Sequence, residues 1–282
     1  MKIYMKEKNF ALIGHPLGHS MSAVIHKELF KISGIDASYV LKEIEPDKLK
    51  DTFDRELKSL DGFNVTIPHK IDIISCLDEV SYRAGLFSSV NTVDISDGHA
   101  KGHNTDCSGF LRSLEMENIP LSGRVLLCGA GGVARMIAFE SILAGCELTI
   151  AVREADISAA NTIMQEIRDK LGRECCVTLL SDAQQGYDLV INATPVGMYP
   201  NVDACPVSRE VIQSAGSVFD VIYNPIETKF LEYAKQAGIK CSGGLAMLVW
   251  QAAVAEEIWN GVKFSNDDIA KVLEITKKEL EK

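Results

Sequence analysis

This 282-residue chain has no run approaching the ~18 consecutive apolar residues of a membrane-spanning helix. Its first residues, Met1 to Lys6, lack the long apolar stretch of a secretory leader. A cytoplasmic protein is therefore expected. Positive charge is also in deficit: 29 Lys and Arg face 39 Asp and Glu, giving a net charge of −10. An acidic surface without a basic stripe repels phosphates, so nucleic acid is not an expected partner. Small anionic substrates need only a few local donors and are not excluded. The eight cysteines include no CxxC pair and no metal-like spacing, and Cys175–Cys176 are merely adjacent. They read as reduced, buried thiols, and no metal is implied. Internal repeats and low-complexity tracts are absent.

What remains is ordinary globular composition, 46% hydrophobic and 24% charged, which argues against disorder. The length suits two domains or one large α/β unit. Strand-like apolar runs at Phe10–Ile13, Ala37–Leu41, Gly62–Val65 and Ser88–Ile95 alternate with helical spacing at Ser22–Ser33, Pro46–Leu60 and Cys107–Glu117. A second α/β series begins near Ser122. It has strands at Val125–Cys128, Leu148–Val152, Val177–Leu180, Leu189–Asn192 and Val218–Val221, and a helix at Val133–Ala144. After Gly244 helical periodicity resumes through Trp259, and again from Asp267 onward. The expected class is α/β: an N-terminal α/β substrate domain (1–106) that C-terminal helices (245–282) rejoin, and a Rossmann-type domain over 107–244. A ligand site in the cleft between them is the further expectation.

Between the Val125–Cys128 strand and its helix lies Gly129-Ala130-Gly131-Gly132-Val133-Ala134. Gly129 permits the tight turn, Gly131 lets backbone approach a pyrophosphate, and Ala134 allows close helix–sheet packing. The helix opening at Val133 presents free N–H groups to phosphates. The next strand ends Val152-Arg153-Glu154. An arginine there suits the 2′-phosphate of NADP, whereas an acid suits the ribose hydroxyls of NAD, so the cofactor reading is mixed.

Two polar runs carry the proton chemistry: Asn64-Val65-Thr66-Ile67-Pro68-His69-Lys70 and Gly102-His103-Asn104-Thr105-Asp106. Each sets hydrogen-bonding side chains beside one ionisable group, as positioned proton transfer requires. With a nucleotide cradle downstream, the combination points to hydride-transfer chemistry. Lys70 is the expected proton donor and Asp106 its orienting carboxylate; a structural Lys–Asp bridge is the bland alternative. Ser20 and Ser22 can offer hydroxyls to a carboxylate, or simply cap the following helix. His15 and His19 stand four apart, but Pro16 and Gly18 between them rule out a helical metal pair; His69 is left unassigned.

These residues together resemble the shikimate dehydrogenase family nearly end to end. The resemblance rests on seven runs in the family's order. They are Gly14–Ser22, Asn64–Lys70, Ser89-Val90-Asn91-Thr92, Asn104-Thr105-Asp106, Asn192–Met198, Asp220–Pro225 and Gly244–Ala252. It implies NADPH-dependent reduction of 3-dehydroshikimate to shikimate in aromatic amino-acid biosynthesis, by two α/β domains around a cleft. It further implies substrate contacts from Ser20, Ser22, Asn64, Thr66, Asn91, Tyr223 and Gln251. Cofactor contacts are implied for Gly129 to Ala134, Arg153, Glu154, Asn192, Thr194, Gly197, Met198 and Gly244. The chain departs from the family pattern at Ala23, Lys27 and Gly243, and most consequentially at Val152 and Glu154, where NADP users of the family show Asn-Arg-Thr. That last departure touches NADP preference, not the reaction. A quinate/shikimate dehydrogenase using NAD is the near alternative. A non-catalytic dinucleotide-binding regulator is the remote one, and it would need neither Lys70 nor Asp106. The expected assembly is a monomer or homodimer.

Overall fold

The structure, a computed structural model, describes residues 7–18 and 20–282. The expectations placed on Met1–Lys6 and on His19 lie outside the described residues. The chain divides into two compact units, Met1–Ser108 with Val249–Lys282, and Gly109–Leu248.

The first unit opens with β1 (Lys8–Gly14), whose apolar core Phe10–Ile13 is fully buried. Helix α1 (Ser22–Ser33) ends at Gly34 in the left-handed conformation (φ 70°), and β2 (Ala37–Glu43) follows. The single helix expected over Pro46–Leu60 is broken. A 3₁₀ turn at Pro46–Lys48 precedes α2 (Leu49–Arg55), and the chain leaves helical geometry at Glu56 (φ −129°) before a second 3₁₀ turn. The break still buries Leu49, Phe53 and Leu57 together, so packing overrides helix continuity. Strand β3 (Gly62–Val65) is followed by β4 (Glu79–Val80) and α3 (Tyr82–Phe87).

The strand expected from Ser88 starts later, as β5 (Thr92–Ser96), because Ser88 is the left-handed cap of α3 (φ 51°). Strand β6 (His99–His103) pairs back on β5 through Asp97–Gly98, both at positive φ, a tight-hairpin signal the sequence reading passed over. The sheet order is β2-β1-β3-β5-β6-β4, with the β1–β2, β1–β3 and β4–β6 pairs parallel and the β3–β5–β6 run antiparallel.

Helix α4 (Thr105–Met116) leads into the second unit: β7 (Arg124–Cys128), α5 (Gly132–Leu143), β8 (Glu147–Val152), α6 (Ile157–Leu171), β9 (Cys176–Leu179) and β10 (Leu189–Asn192). Then come α7 (Arg209–Gln213), β11 (Ser217–Asp220), α8 (Lys229–Gln236) and β12 (Lys240–Gly243). Its sheet is wholly parallel in the order β9-β8-β7-β10-β11-β12. A parallel sheet covered on both faces explains why its strands read as continuous apolar runs.

Helix α9 (Gly244–Asn260) and helix α10 (Asn266–Leu280) complete the chain. Helices α4 and α9 run through the two points, 108/109 and 248/249, at which these units divide. In the first unit, Trp259 stacks on Phe10 (4.5 Å between centroids) and donates its indole N–H to the Val93 carbonyl (2.9 Å). A Cβ at Gly62 would lie 2.3 Å from that indole nitrogen, which is why the position is glycine. No helix among the described residues is long and apolar enough to cross a membrane.

Candidate active site

The loop after β3 is pinned before it reaches Lys70. The Thr66 N–H donates to Ile13 O (2.9 Å), and His69, fully buried, makes a 2.7 Å ring contact with the Ile44 carbonyl. Lys70's own carbonyl accepts the Val90 N–H (2.8 Å). With its backbone held on both sides, Lys70 extends Nζ to within 2.7 Å of Asp106 Oδ2. The two side chains are 25% and 17% exposed, withdrawn from bulk water yet still reachable. Asp106 occupies the first turn of α4, where unsatisfied N–H groups favour a carboxylate. Its other oxygen accepts from Asn91 Nδ2 (2.9 Å).

Asn91 is the hub. Its Oδ1 accepts the Thr105 N–H (2.6 Å), and its Nδ2 also reaches Thr105 Oγ1 (3.0 Å) and, at 3.5 Å, Gln251 Oε1. Asn64 Nδ2 donates to the Asn91 carbonyl (3.2 Å) and to Thr92 Oγ1 (3.0 Å). Its Oδ1 accepts the Tyr39 hydroxyl (2.7 Å). A continuous hydrogen-bonded path therefore runs from Tyr39 through Asn64, Thr92, Thr105 and Asn91 to Asp106 and Lys70. Side chains from 15 to 160 residues apart hydrogen-bond directly among Lys70, Asp106, Asn91 and Gln251.

Three members of this path had no assigned role: Thr92 and Thr105, which lie inside the motif runs, and Tyr39, which lies outside all of them. The signal for Tyr39 lies in register alone. Phe10 pairs with both Tyr39 and Gly62, so Asn64, two residues beyond Gly62, shares Tyr39's face across β1.

Other expected residues are placed differently. Ser22 does not cap α1; Met21 is the N-cap and no side chain caps it, while Ser20 Oγ accepts the Ser22 N–H (3.3 Å). Thr66 is half-buried, its methyl group where a Cβ on Gly14 would collide. Tyr223 belongs to the second unit and is half-buried in the loop after β11. His15 pairs with Glu45 (3.3 Å) at the surface.

In the second unit, a pocket of about 510 Å³ is lined by Gly129, Ala130 and Gly131 from the turn after β7 and by Ala193 to Val196 after β10. These strands are adjacent in the sheet, and the chain order reverses between them, the usual ligand crevice of such sheets. Gly129 has φ 111°, and a Cβ there would lie 2.9 Å from the Ala193 carbonyl. Gly131 has nothing within 4 Å of its virtual Cβ, and α5 has no side-chain cap, leaving its first N–H groups open toward an anion. These residues fit a dinucleotide pyrophosphate. Ala134 is buried beneath the turn, a packing role, and Gly132 and Val133 form the first turn of α5 without lining the pocket.

Several residues expected at the cofactor are engaged within the fold. Asn192 is fully buried and its amide is spent internally. Nδ2 donates to Val196 O (3.2 Å) and Asp220 Oδ1 (3.0 Å), and Oδ1 accepts from Thr194 N–H (3.0 Å) and Oγ1 (2.7 Å). It shapes the 193–196 loop, whereas Thr194 itself lines the pocket. Gly244 is a packing glycine, since a Cβ there would sit 2.0 Å from the Val221 carbonyl. Gly197 (φ 104°) bends the chain so that Met198 lines a neighbouring surface pocket with Pro195 and Val196. Glu154 is exposed and outside the pocket lining. The acid beside Arg153 at the pocket is Asp156, whose Oδ2 accepts from Arg153 Nε (2.7 Å) because the short 3₁₀ turn swings it back. Below the loop, burial pushes the Asp220 carboxyl up to about 6, against donors from Thr228, Ile222 and Asn192 that favour its charged form.

The parallel sheet, its glycine turn and the crevice define a protein with a doubly wound dinucleotide-binding unit. The comparisons narrow this class. Residues 12–93 match the family model described as the shikimate dehydrogenase substrate binding domain. Shikimate dehydrogenase (NADP(+)) of Methanocaldococcus jannaschii is 41% identical over 268 residues, covering 93% of this chain and 94% of that protein. A crystal structure of a shikimate dehydrogenase in complex with NADP⁺ superposes with TM-score 0.87 at 39% identity, covering 95% of each chain. Shikimate 5-dehydrogenase of Thermus thermophilus, in complex with NADP(H) and shikimate, gives TM-score 0.85 at 32% identity, covering 95% of this chain and 99% of that one. The chain belongs to the shikimate dehydrogenase family.

Proposed function

We propose that this chain catalyses the reversible NADPH-dependent reduction of 3-dehydroshikimate to shikimate. The observation that carries the reading is the Lys70–Asp106 pair, 2.7 Å apart and half-withdrawn from water, in a chain of this family. Reducing a ring ketone to an alcohol adds a hydride to carbon and a proton to oxygen. NADPH, when bound at the glycine turn, supplies the hydride. Lys70 gives its proton to the oxygen as negative charge builds there, and its partly exposed ammonium is replenished from water. Asp106 aims Nζ and accepts from the reacting hydroxyl, while Asn91 fixes its orientation. Ser20 and Ser22 receive the substrate carboxylate; Asn64, Thr66, Asn91, Tyr223 and Gln251 receive its hydroxyls. Such neutral donors discriminate strongly, because a substrate lacking a hydroxyl leaves them unpaired.

In this reading residues 1–106 and 245–282 hold the substrate and 107–244 the cofactor. The relatives named shikimate dehydrogenase (NADP(+)) support NADP as that cofactor. A cytoplasmic location accords with eight free cysteines. A monomer or homodimer with no nucleic-acid partner completes the proposal. The test is absorbance at the reduced-nicotinamide band with shikimate and each cofactor. Turnover with NADP⁺ is expected, and no turnover of shikimate with either cofactor overturns the reading.

A further inference from the structure

Behind the first unit's polar path lies a buried ionisable cluster that proton transfer at Lys70 does not use. His26 of α1 and Glu256 of α9 are both fully buried, with Nδ1 and Oε1 2.5 Å apart. The second oxygen of Glu256 accepts from Asn260 Nδ2 (2.8 Å). The His26 ring lies flat on the Tyr39 ring, 4.1 Å between centroids at an interplanar angle of 12°, with Trp259 tilted nearby at 5.5 Å. His26 Nε2 is buried and has no hydrogen-bond partner among the described residues. Burying a histidine and a glutamate for packing alone is costly, since a hydrophobic pair of similar volume would serve as well or better. The cluster must be explained by what it holds.

What it holds is a hydrogen-bond donor. We propose that Tyr39, its ring clamped by the buried His26–Glu256 pair, is a positioning residue that fixes the side-chain amide of Asn64 for the substrate. The inference rests on the functional reading above, in which Asn64 receives a substrate hydroxyl. An asparagine amide can turn over, exchanging oxygen and nitrogen at little steric cost. Tyr39 and Thr92 remove that freedom: the phenol O–H donates to Oδ1 from one side, and Thr92 Oγ1 accepts from Nδ2 on the other. The clamp works only while Tyr39 remains a phenol, because a phenolate has no proton to donate. Burial first, and the Glu256 carboxylate second, push its ionisation well above the ordinary tyrosine range, outweighing the Ser22 hydroxyl. His26 in turn holds Glu256 at its Nδ1 and lies flat on the Tyr39 ring, setting its plane.

The experiment is a pair of double-mutant cycles on the full chain. Tyr39→Phe keeps the ring on His26 and removes only the hydroxyl. It should raise KM for shikimate about three- to tenfold, the worth of one hydrogen bond, with KM for NADP⁺ unchanged. In an Asn64→Ala background the same substitution should add nothing further, since its effect passes through Asn64. Glu256→Gln should give a smaller rise in the same direction, again absent when Asn64 is alanine. This second cycle decides the matter if near-UV circular dichroism shows that Tyr39→Phe does not fold. Equal effects with and without Asn64, or no change in shikimate KM, overturn the inference. An active wild type with additive variants overturns it alone; a wild type inactive on shikimate overturns the functional reading beneath it.

Discussion

In the first unit the site is marked chiefly by side chains, while in the second the pocket opens on a Gly-Ala-Gly turn that offers little but backbone. Lys70, Asp106, Asn91 and Asn64 are held by one another at 2.7–3.2 Å. Gly129, Ala130 and Gly131 are valuable for lacking side chains, and the N–H groups behind them come with any helix start. Recognition by networked side chains is chemically specific and fragile to deletion. Recognition by bare backbone is generic and fragile to addition. The two carboxylates repeat the contrast: Asp106 faces a cation, whereas Asp220 is buried among neutral donors.

The most damaging break in this contrast is Lys70→Ala. Turnover should fall by about 10²- to 10⁴-fold, the usual worth of a positioned acid–base group, with NADP⁺ affinity by calorimetry unchanged. Surviving turnover would remove Lys70 from the proton step. Next come two additions of a single methyl group. Gly131→Ala meets open space, so thermal stability should hold while KM for NADP⁺ rises about tenfold or more through blocked approach to a charged group. Gly129→Ala places a Cβ on a left-handed residue against a carbonyl and should cost about 1–3 kcal/mol in stability as well. Equal stability losses would show that the turn does not distinguish a packing glycine from a ligand-facing one.

The third prediction concerns Asp220. Its folded value near 6 exceeds the ordinary aspartate value of 3.8, so the native state binds more protons between those limits. Its contribution to stability is therefore greatest below pH 4, declines as pH rises to 6, and changes by about 3 kcal/mol in all. Carbon-13 NMR of the carboxyl should show a midpoint near 6; a midpoint near 4 would mean that the three donors outweigh burial. The smallest effect is on cofactor choice. Asp156→Ala should improve NADP over NAD about fivefold by removing a negative charge beside Arg153, the residue that would hold a 2′-phosphate. Glu154→Thr, exposed and outside the pocket, should shift the ratio by about twofold or less. A larger effect at Glu154 would reverse that assignment.

Local chemistry was legible where the period and the punctuation agreed. Helix α1 with Gly34, strand β10 and the strand–glycine turn–helix at β7 and α5 all stand where the sequence puts them, to within a residue. Lys70 and Asp106 stood out because dense polar runs interrupt apolar strands. Tyr39 did not, since a tyrosine in a strand is unremarkable until β1 is laid between β2 and β3. Asp156 was hidden by the 3₁₀ turn, which reverses which of two nearby acids faces the pocket. Asn192 stands in a motif whose pattern points to a ligand, and its burial is invisible in the sequence. Burial converts it into a brace for the loop that carries Thr194.

By itself the order of residues determined the two kinds of site, for each depends on what a short segment can or cannot place: a charged side chain after a strand, or no side chain before a helix. Tertiary structure alone decided which distant atoms meet and why His26 and Glu256 are buried at all. Hydrogen bonds and desolvation depend on distances of a few ångströms between segments up to 230 residues apart, and nothing local in the chain encodes them.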